Sequence, residues 1–147
     1  MLLKNEGDTE KLAKRLVKLS KKDNTVICLN GDLGSGKTTF TRYFIRNFFM
    51  GLEIKEIPSP TFTLLQAYEH DGHTINHYDF YRLKNPSELF ELNFGETVTD
   101  DVCLIEWADK FEEVLPNDRI QLNFQIKSKV SRSVQISLRG KFKNQKY

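Results

Sequence analysis

The segment Gly31-Asp32-Leu33-Gly34-Ser35-Gly36-Lys37-Thr38 constrains this chain more than any other. It matches the pattern G-x-x-x-x-G-K-[ST], a loop whose backbone N–H groups turn inward around phosphate. Glycines are required there because a side chain would fill the space an anion needs. Thr25 to Asn30, just before it, is a short apolar run of β-formers and reads as a buried strand. After it, Phe40, Tyr43, Phe44 and Phe48 recur at helical spacing over Thr39 to Met50, with Gly51 as the stop. A glycine-rich turn matching by chance is the competing reading. Strand, loop and helix in this order argue against it, because the helix N-terminus then points at the same anion. The phosphate-binding candidates are therefore Gly34, Ser35, Gly36, Lys37, Thr38 and Thr39. Lys37 would reach the outer phosphates, and the Thr38 hydroxyl would ligate Mg²⁺.

Such a loop works with acidic groups near the outermost phosphate. Val102-Cys103-Leu104-Ile105-Glu106 is an apolar strand ending in a carboxylate, so Glu106 is the first candidate, as metal ligand and catalytic acid. A solvated, idle acid at a strand end is the alternative. Asp79 is the second, in His77-Tyr78-Asp79-Phe80-Tyr81-Arg82. A carboxylate among aromatic residues needs a cation or hydrogen-bond partner if buried, and a surface Asp closing a strand is the other possibility. Thr61, in Ser59-Pro60-Thr61-Phe62, lies in a loop stiffened by Pro58 and Pro60. A hydroxyl there suits a sensor of the terminal phosphate, and an ordinary loop threonine stands equally beside that reading. His77 reads as a hydrogen-bonding structural histidine rather than a metal ligand. The spacing of His70, His73 and His77 fits no zinc pattern.

The remaining elements follow from periodicity. Leu12, Ala13, Leu16, Val17 and Leu19 form a helical stripe over Asp8 to Ser20, with Asp8 or Thr9 as cap. Asp71-Gly72 between Thr63–Glu69 and His73–Asp79 predicts a hairpin. Short helices are expected over Pro86–Leu92 and Asp109–Val114. Alternation at Ile120, Leu122, Phe124, Ile126 and at Val134, Ile136, Leu138 predicts two half-buried strands joined near Lys129–Arg132. The expected fold is an α/β/α sandwich around a mixed, mainly parallel sheet, with the loop strand central and the late strands as an antiparallel edge.

At 147 residues the chain suits one domain over 1–147, with the basic stretch 141–147 as a free tail. A net charge of +2 does not by itself argue for nucleic-acid binding. Cys28 and Cys103 each lie in an apolar run and read as buried reduced thiols. No apolar run approaches the roughly 20 residues that span a bilayer, and no signal-type segment opens the chain, so a cytoplasmic location without membrane contact is expected.

Taken together, the motifs resemble the TsaE (YjeE) family, the small ATPases of bacterial threonylcarbamoyladenosine tRNA modification. The resemblance rests on Gly-Asp-Leu-Gly-Ser-Gly-Lys-Thr-Thr-Phe from Gly31, Ser-Pro-Thr-Phe from Ser59, His-Tyr-Asp-Phe-Tyr-Arg from His77 and Ile-Glu-Trp-Ala-Asp from Ile105. It implies that ATP and Mg²⁺ are the cofactors, with Lys37 and Thr38 on phosphate and metal. Asp79 and Glu106 would be the acidic pair, Trp107 would lie beside the site, and Thr9 would approach the nucleotide. It also implies TsaD and TsaB as partners. TsaD attaches the threonylcarbamoyl group to adenosine 37 of ANN-reading tRNAs, so tRNA would be met only indirectly through the complex. Family members often carry Gly-Arg near the last turn. Here the segment is Lys127-Ser128-Lys129-Val130-Ser131-Arg132, and no nucleotide contact is assigned to it.

A small-molecule kinase is the runner-up, because such kinases also use this loop. They commonly clamp the transferring phosphoryl with an arginine-rich lid. The arginines here form no such cluster, and the last third reads as strands. A guanine-reading Asn-Lys-x-Asp segment is missing from the sequence, which disfavours a GTPase. The expected chemistry is partner-dependent hydrolysis of ATP by in-line attack of water, with Asp79 or Glu106 orienting the water.

Overall fold

A computed structural model of the chain describes residues 1–50 and 56–147; the expected helix stop at Gly51 lies outside them. In chain order its first half comprises β1 (Leu2–Leu3), α1 (Glu6–Ser20), β2 (Val26–Asn30), α2 (Lys37–Phe48), β3 (Leu65–His70) and β4 (His73–Asp79). Then come a 3₁₀ stretch (Pro86–Leu92), α3 (Phe94–Asp100), β5 (Val102–Glu106), a second 3₁₀ stretch (Ala108–Val114), β6 (Ile120–Ile126), β7 (Arg132–Leu138) and a 3₁₀ turn (Gly140–Phe142).

The seven strands form one sheet in the order β1-β7-β6-β2-β5-β4-β3. The centre, β6-β2-β5-β4, is parallel, while β3, β7 and β1 pair antiparallel at the two sides. As expected, β2 is central, and every one of its residues is buried. The late hairpin β6–β7 forms, but it is not the rim. The two-residue strand β1 pairs with Arg132 and Ser133 and takes the edge. At the other side, Asp71 (φ 50°) and Gly72 (φ 76°) make the turn of the β3–β4 hairpin, both in the left-handed region that a two-residue loop demands.

Each face of the sheet carries its own apolar core. On one side, Leu12, Leu16, Phe40, Phe44 and Phe48 of α1 and α2 pack on Ile27, Leu29, Ile75, Leu104, Ile120 and Leu122. On the other, Phe80, Leu89, Phe94 and Phe111 pack on Cys28, Tyr78, Cys103 and Ile105. Each fully buried large side chain contributes about 1.5–3 kcal/mol, so both layers anchor the strands that carry the site.

Several local expectations need correction. Helix α1 begins two residues early, at Glu6, because Asn5 is the cap and accepts from the Asp8 N–H at 3.2 Å; neither Asp8 nor Thr9 caps it. Asp8 instead accepts from the N–H of Lys4, the residue before the cap, at 3.0 Å. Helix α2 starts at Lys37, inside the glycine motif. The segments 86–92 and 108–114 are 3₁₀, the second broken at Phe111 (φ −137°, ψ 68°). Helix α3 was not expected. Gly95 and three β-branched residues weaken its propensity, and the buried Phe94 against Tyr78 and Phe80 holds it in place. Finally, the free tail does not start at Lys141. Phe142 is 2% exposed, the Lys141 N–H donates to Asp118 at 2.8 Å, and the Lys141 ammonium meets Asp23 at 2.8 Å. One buried aromatic ring outweighs the solvation of the neighbouring lysines.

Cys28 and Cys103 are free and buried, and burial pushes both thiols up to about 12. Both should therefore stay silent toward a thiol-reactive chromophore at pH 8 in the native protein and react fully in guanidinium. Rapid native reaction of either would contradict this packing.

Candidate nucleotide site

The parallel strands β2, β5 and β4 end level with one another: Leu29 and Asp79 both stand opposite Glu106. In an α/β sheet the space beyond such carboxyl ends is where ligands bind. The loop after β2 fills that space. Gly31 (φ 143°), Gly34 (φ 77°) and Gly36 (φ 110°) supply left-handed turns that bring the chain into α2. Gly31 also lies flush against its neighbours. A β-carbon there would stand 2.5 Å from Ser35 Oγ and 2.7 Å from the Phe124 carbonyl oxygen. The first-turn amides of α2 remain free of side-chain caps, as an anion-binding helix start requires.

Lys37 opens that helix. Its ammonium donates to the Gly31 and Asp32 carbonyls at 2.6 and 3.0 Å and lies 4.1 Å from the centre of the Trp107 ring. Desolvation lowers its pKa from the ordinary lysine value, against the opposing pull of Glu106, Asp79, Asp109 and Asp32. The cation is buried away from bulk water, which favours an incoming anion, while the neighbouring acids oppose one.

The acidic pair is buried. Glu106 accepts from the Thr38 hydroxyl at 2.6 Å on Oε1 and meets His77 Nε2 at 2.6 Å on Oε2. Asp79 accepts from the Thr61 hydroxyl at 2.7 Å and from the Tyr81 N–H at 2.8 Å. Its burial excludes a surface Asp, and the Thr61 hydroxyl ties the loop that carries it to Asp79. Trp107 follows Glu106 at a φ of 56°, uncommon for a bulky residue. Its N–H donates to the Leu29 carbonyl at 2.9 Å, and that bond turns the chain so the indole covers Lys37.

These groups border one cavity of about 480 Å³. Every residue singled out from the sequence lines it: Thr9, Gly34, Ser35, Gly36, Lys37, Thr38, Thr39, Thr61, Asp79, Glu106 and Trp107. Leu3, Asn5, Glu6, Ser59, Lys129, Val130 and Arg132 line it too, without having been expected to. Arg132 is the consequential addition. Its Nη2 donates to the Gly34 carbonyl at 3.1 Å, and its buried Nε has no partner among the described residues. The turn spacing gave no hint of this, because the contact depends on β6 pairing beside β2.

The donor chemistry suits Mg²⁺. Thr38 Oγ1 and a Glu106 oxygen are hard donors brought together at the loop, and Mg²⁺ commonly takes one or two such groups plus phosphate oxygens and water. Among the described residues no cluster of three or more His, Cys, Asp or Glu forms a cage, and a phosphate-bound Mg²⁺ does not need one.

Comparison with known proteins places the chain in a family. Residues 3–134 match the family described as threonylcarbamoyl adenosine biosynthesis protein TsaE. The chain is 45% identical over 126 residues to the tRNA threonylcarbamoyladenosine biosynthesis protein TsaE of Rickettsia felis, covering 86% of this chain and 72% of that protein. It is 40% identical to the protein of that name from Haemophilus influenzae, over 78% and 71% of the two chains. Among solved structures, Bacillus subtilis YdiB superposes with a TM-score of 0.71 at 33% identity, over 95% of this chain and 84% of the other.

The cradle's tolerance should be uneven. In urea unfolding, Gly31→Ala should lose about 2 kcal/mol or more, from overpacking at a left-handed position. Gly34→Ala has open space and should lose only about 1–2 kcal/mol. Equal losses would contradict the close approach at Gly31.

Proposed function

The chain belongs to the TsaE family, and from that membership and the cradle around Lys37 we propose that it binds and hydrolyses ATP with Mg²⁺. In this reading the activity serves threonylcarbamoyladenosine formation at adenosine 37 of ANN-reading tRNAs. The partners are TsaD and TsaB, with the tRNA contacted through them. The setting is the cytoplasm; among the described residues no helix is long and apolar enough to cross a membrane. The observation that carries the proposal is the convergence, at level strand ends, of a glycine cradle, one lysine and two buried carboxylates.

The loop amides and Lys37 bind the β- and γ-phosphates. Thr38 and Glu106 would hold the metal, which, when bound, offsets charge on the phosphate oxygens. Their mutual hydrogen bond favours Glu106 over Asp79 as the direct ligand. Asp79, held by Thr61 and the Tyr81 N–H, then orients the attacking water. A water oxygen bonds to the γ-phosphorus as the bond to the β,γ-bridging oxygen breaks, and the proton the water gives up leaves with the released phosphate. Lys37 stabilises the charge that collects on ADP, while Trp107 shields the lysine from solvent. Thr61 links the 58–62 loop to Asp79, so that loop can report the state of the terminal phosphate.

Lys37→Ala should reduce phosphate release from ATP by about 100-fold or more, measured with excess Mg²⁺ and with partners present. Turnover at the wild-type level in that variant would remove the mechanism. Asp79→Asn should keep binding of a nonhydrolysable analogue within about threefold while losing most turnover, since the amide fills the space without the carboxylate's charge. Recovery of TsaD and TsaB on the ATP-loaded protein from a bacterial lysate tests the pathway separately.

A further inference from the structure

One buried side chain of the site has no role in the mechanism above. His77 is fully buried beneath the acidic pair. Along β4, Ile75, His77 and Asp79 alternate onto the face that α2 covers, and His77 pairs across the sheet with Leu104, two residues before Glu106. That placement sets its Nε2 at 2.6 Å from Glu106 Oε2, while Thr38 meets Oε1 at the same distance. An ionised carboxylate only accepts, so the imidazole Nε2 carries the hydrogen of this bond.

We propose that His77 is a positioning residue: it clamps one oxygen of Glu106 so that the other stays presented to Thr38 and the phosphate side. This rests on the hydrolytic reading of the site. Two observations favour it over simple stitching of strands. First, β4 and β5 are already held by a continuous parallel ladder from Ile75 to Asp79. A lone side-chain bond adds only about 1 kcal/mol to that. Second, the fold tolerates a cost to keep an imidazole there. Among the described residues the buried His77 Nδ1 has no partner, an arrangement that costs about 1–3 kcal/mol and that an apolar residue would avoid. Without the clamp, the Glu106 carboxylate would be free to rotate away from the loop, and a buried charge would lose one of its two hydrogen bonds.

The test uses the full chain and three variants. His77→Gln retains an amide N–H donor of similar reach, His77→Phe fills the volume with no donor, and His77→Asn keeps a donor too short to reach. Trp107, the single tryptophan, reports binding of a nonhydrolysable ATP analogue as Mg²⁺ is titrated. His77→Phe should raise the Mg²⁺ midpoint of analogue binding and lower kcat, each by about tenfold or more, with KM for ATP moving far less. His77→Gln should restore both to within about threefold of wild type. If His77→Phe does not fold by circular dichroism, His77→Asn takes its place with the same expected shifts. A folded donorless variant with the wild-type Mg²⁺ midpoint and kcat overturns the proposal. So does a His77→Gln variant as impaired as His77→Phe, which would reduce His77 to packing. Failure of the hydrolytic reading looks different: the wild-type chain itself would neither turn over ATP nor respond to Mg²⁺.

Discussion

The carboxylate of Glu106 is the group around which this structure is organised. A charge in the interior costs several kcal/mol unless its oxygens are occupied, so whatever surrounds it must converge. Here the partners come from different parts of the chain: a hydroxyl from the first turn of α2 and an imidazole from the middle of β4. Strand, helix and hairpin are thereby tied at one point. That point lies directly under the glycine loop, so the requirement to satisfy a buried acid and the requirement to surround a phosphate are met by the same geometry.

Charge is distributed around the cavity in a way that follows from this. The acids sit deep, at the strand ends, while Lys37 ends the loop and Arg132 reaches it from the start of β7. Neither cation is paired with a carboxylate within salt-bridge distance among the described residues. Both lean instead on backbone carbonyls, Lys37 on Gly31 and Asp32 and Arg132 on Gly34, Ser128 and Ser131, which are weak partners for a full charge. A polyanion offers each of them a stronger one.

What was legible in the sequence is what depends on neighbours in the chain. The glycine motif, the run ending in Glu106, the Asp71-Gly72 turn and the alternating late strands all carry their signal within a few residues. The structure places them as expected. What escaped is what depends on distant pairing. β1 is two residues long and has no period to detect; it exists because β7 offers it an edge. Arg132 reaches Gly34 across 98 positions in sequence, by virtue of sheet order alone. Helix α3 has poor propensity and is held by aromatic packing. The Asn5 cap was obscured by Gly7, which weakens the first turn's helical pattern. His77 was recognised as a hydrogen-bonding residue, but its partner could not be named until β4 was seen to lie beside β5.

The tight turn at Asp71-Gly72 has a reach that its distance from the cavity conceals. It fixes how β3 and β4 slide past one another, and β4 brings in both His77 and Asp79 from its opposite end, about 20 Å away. Side chains on a strand alternate between faces, so an error of a single residue in that alignment would turn the side chains of β3, the outermost strand, to the opposite face. His77 and Asp79 would keep their facing, because the parallel ladder of β4 with β5 runs from Ile75 to Asp79. Because β3 leads out of the loop that carries Thr61, a slipped turn would instead draw that hydroxyl away from Asp79, so a distant bend acts on the centre through its outermost strand.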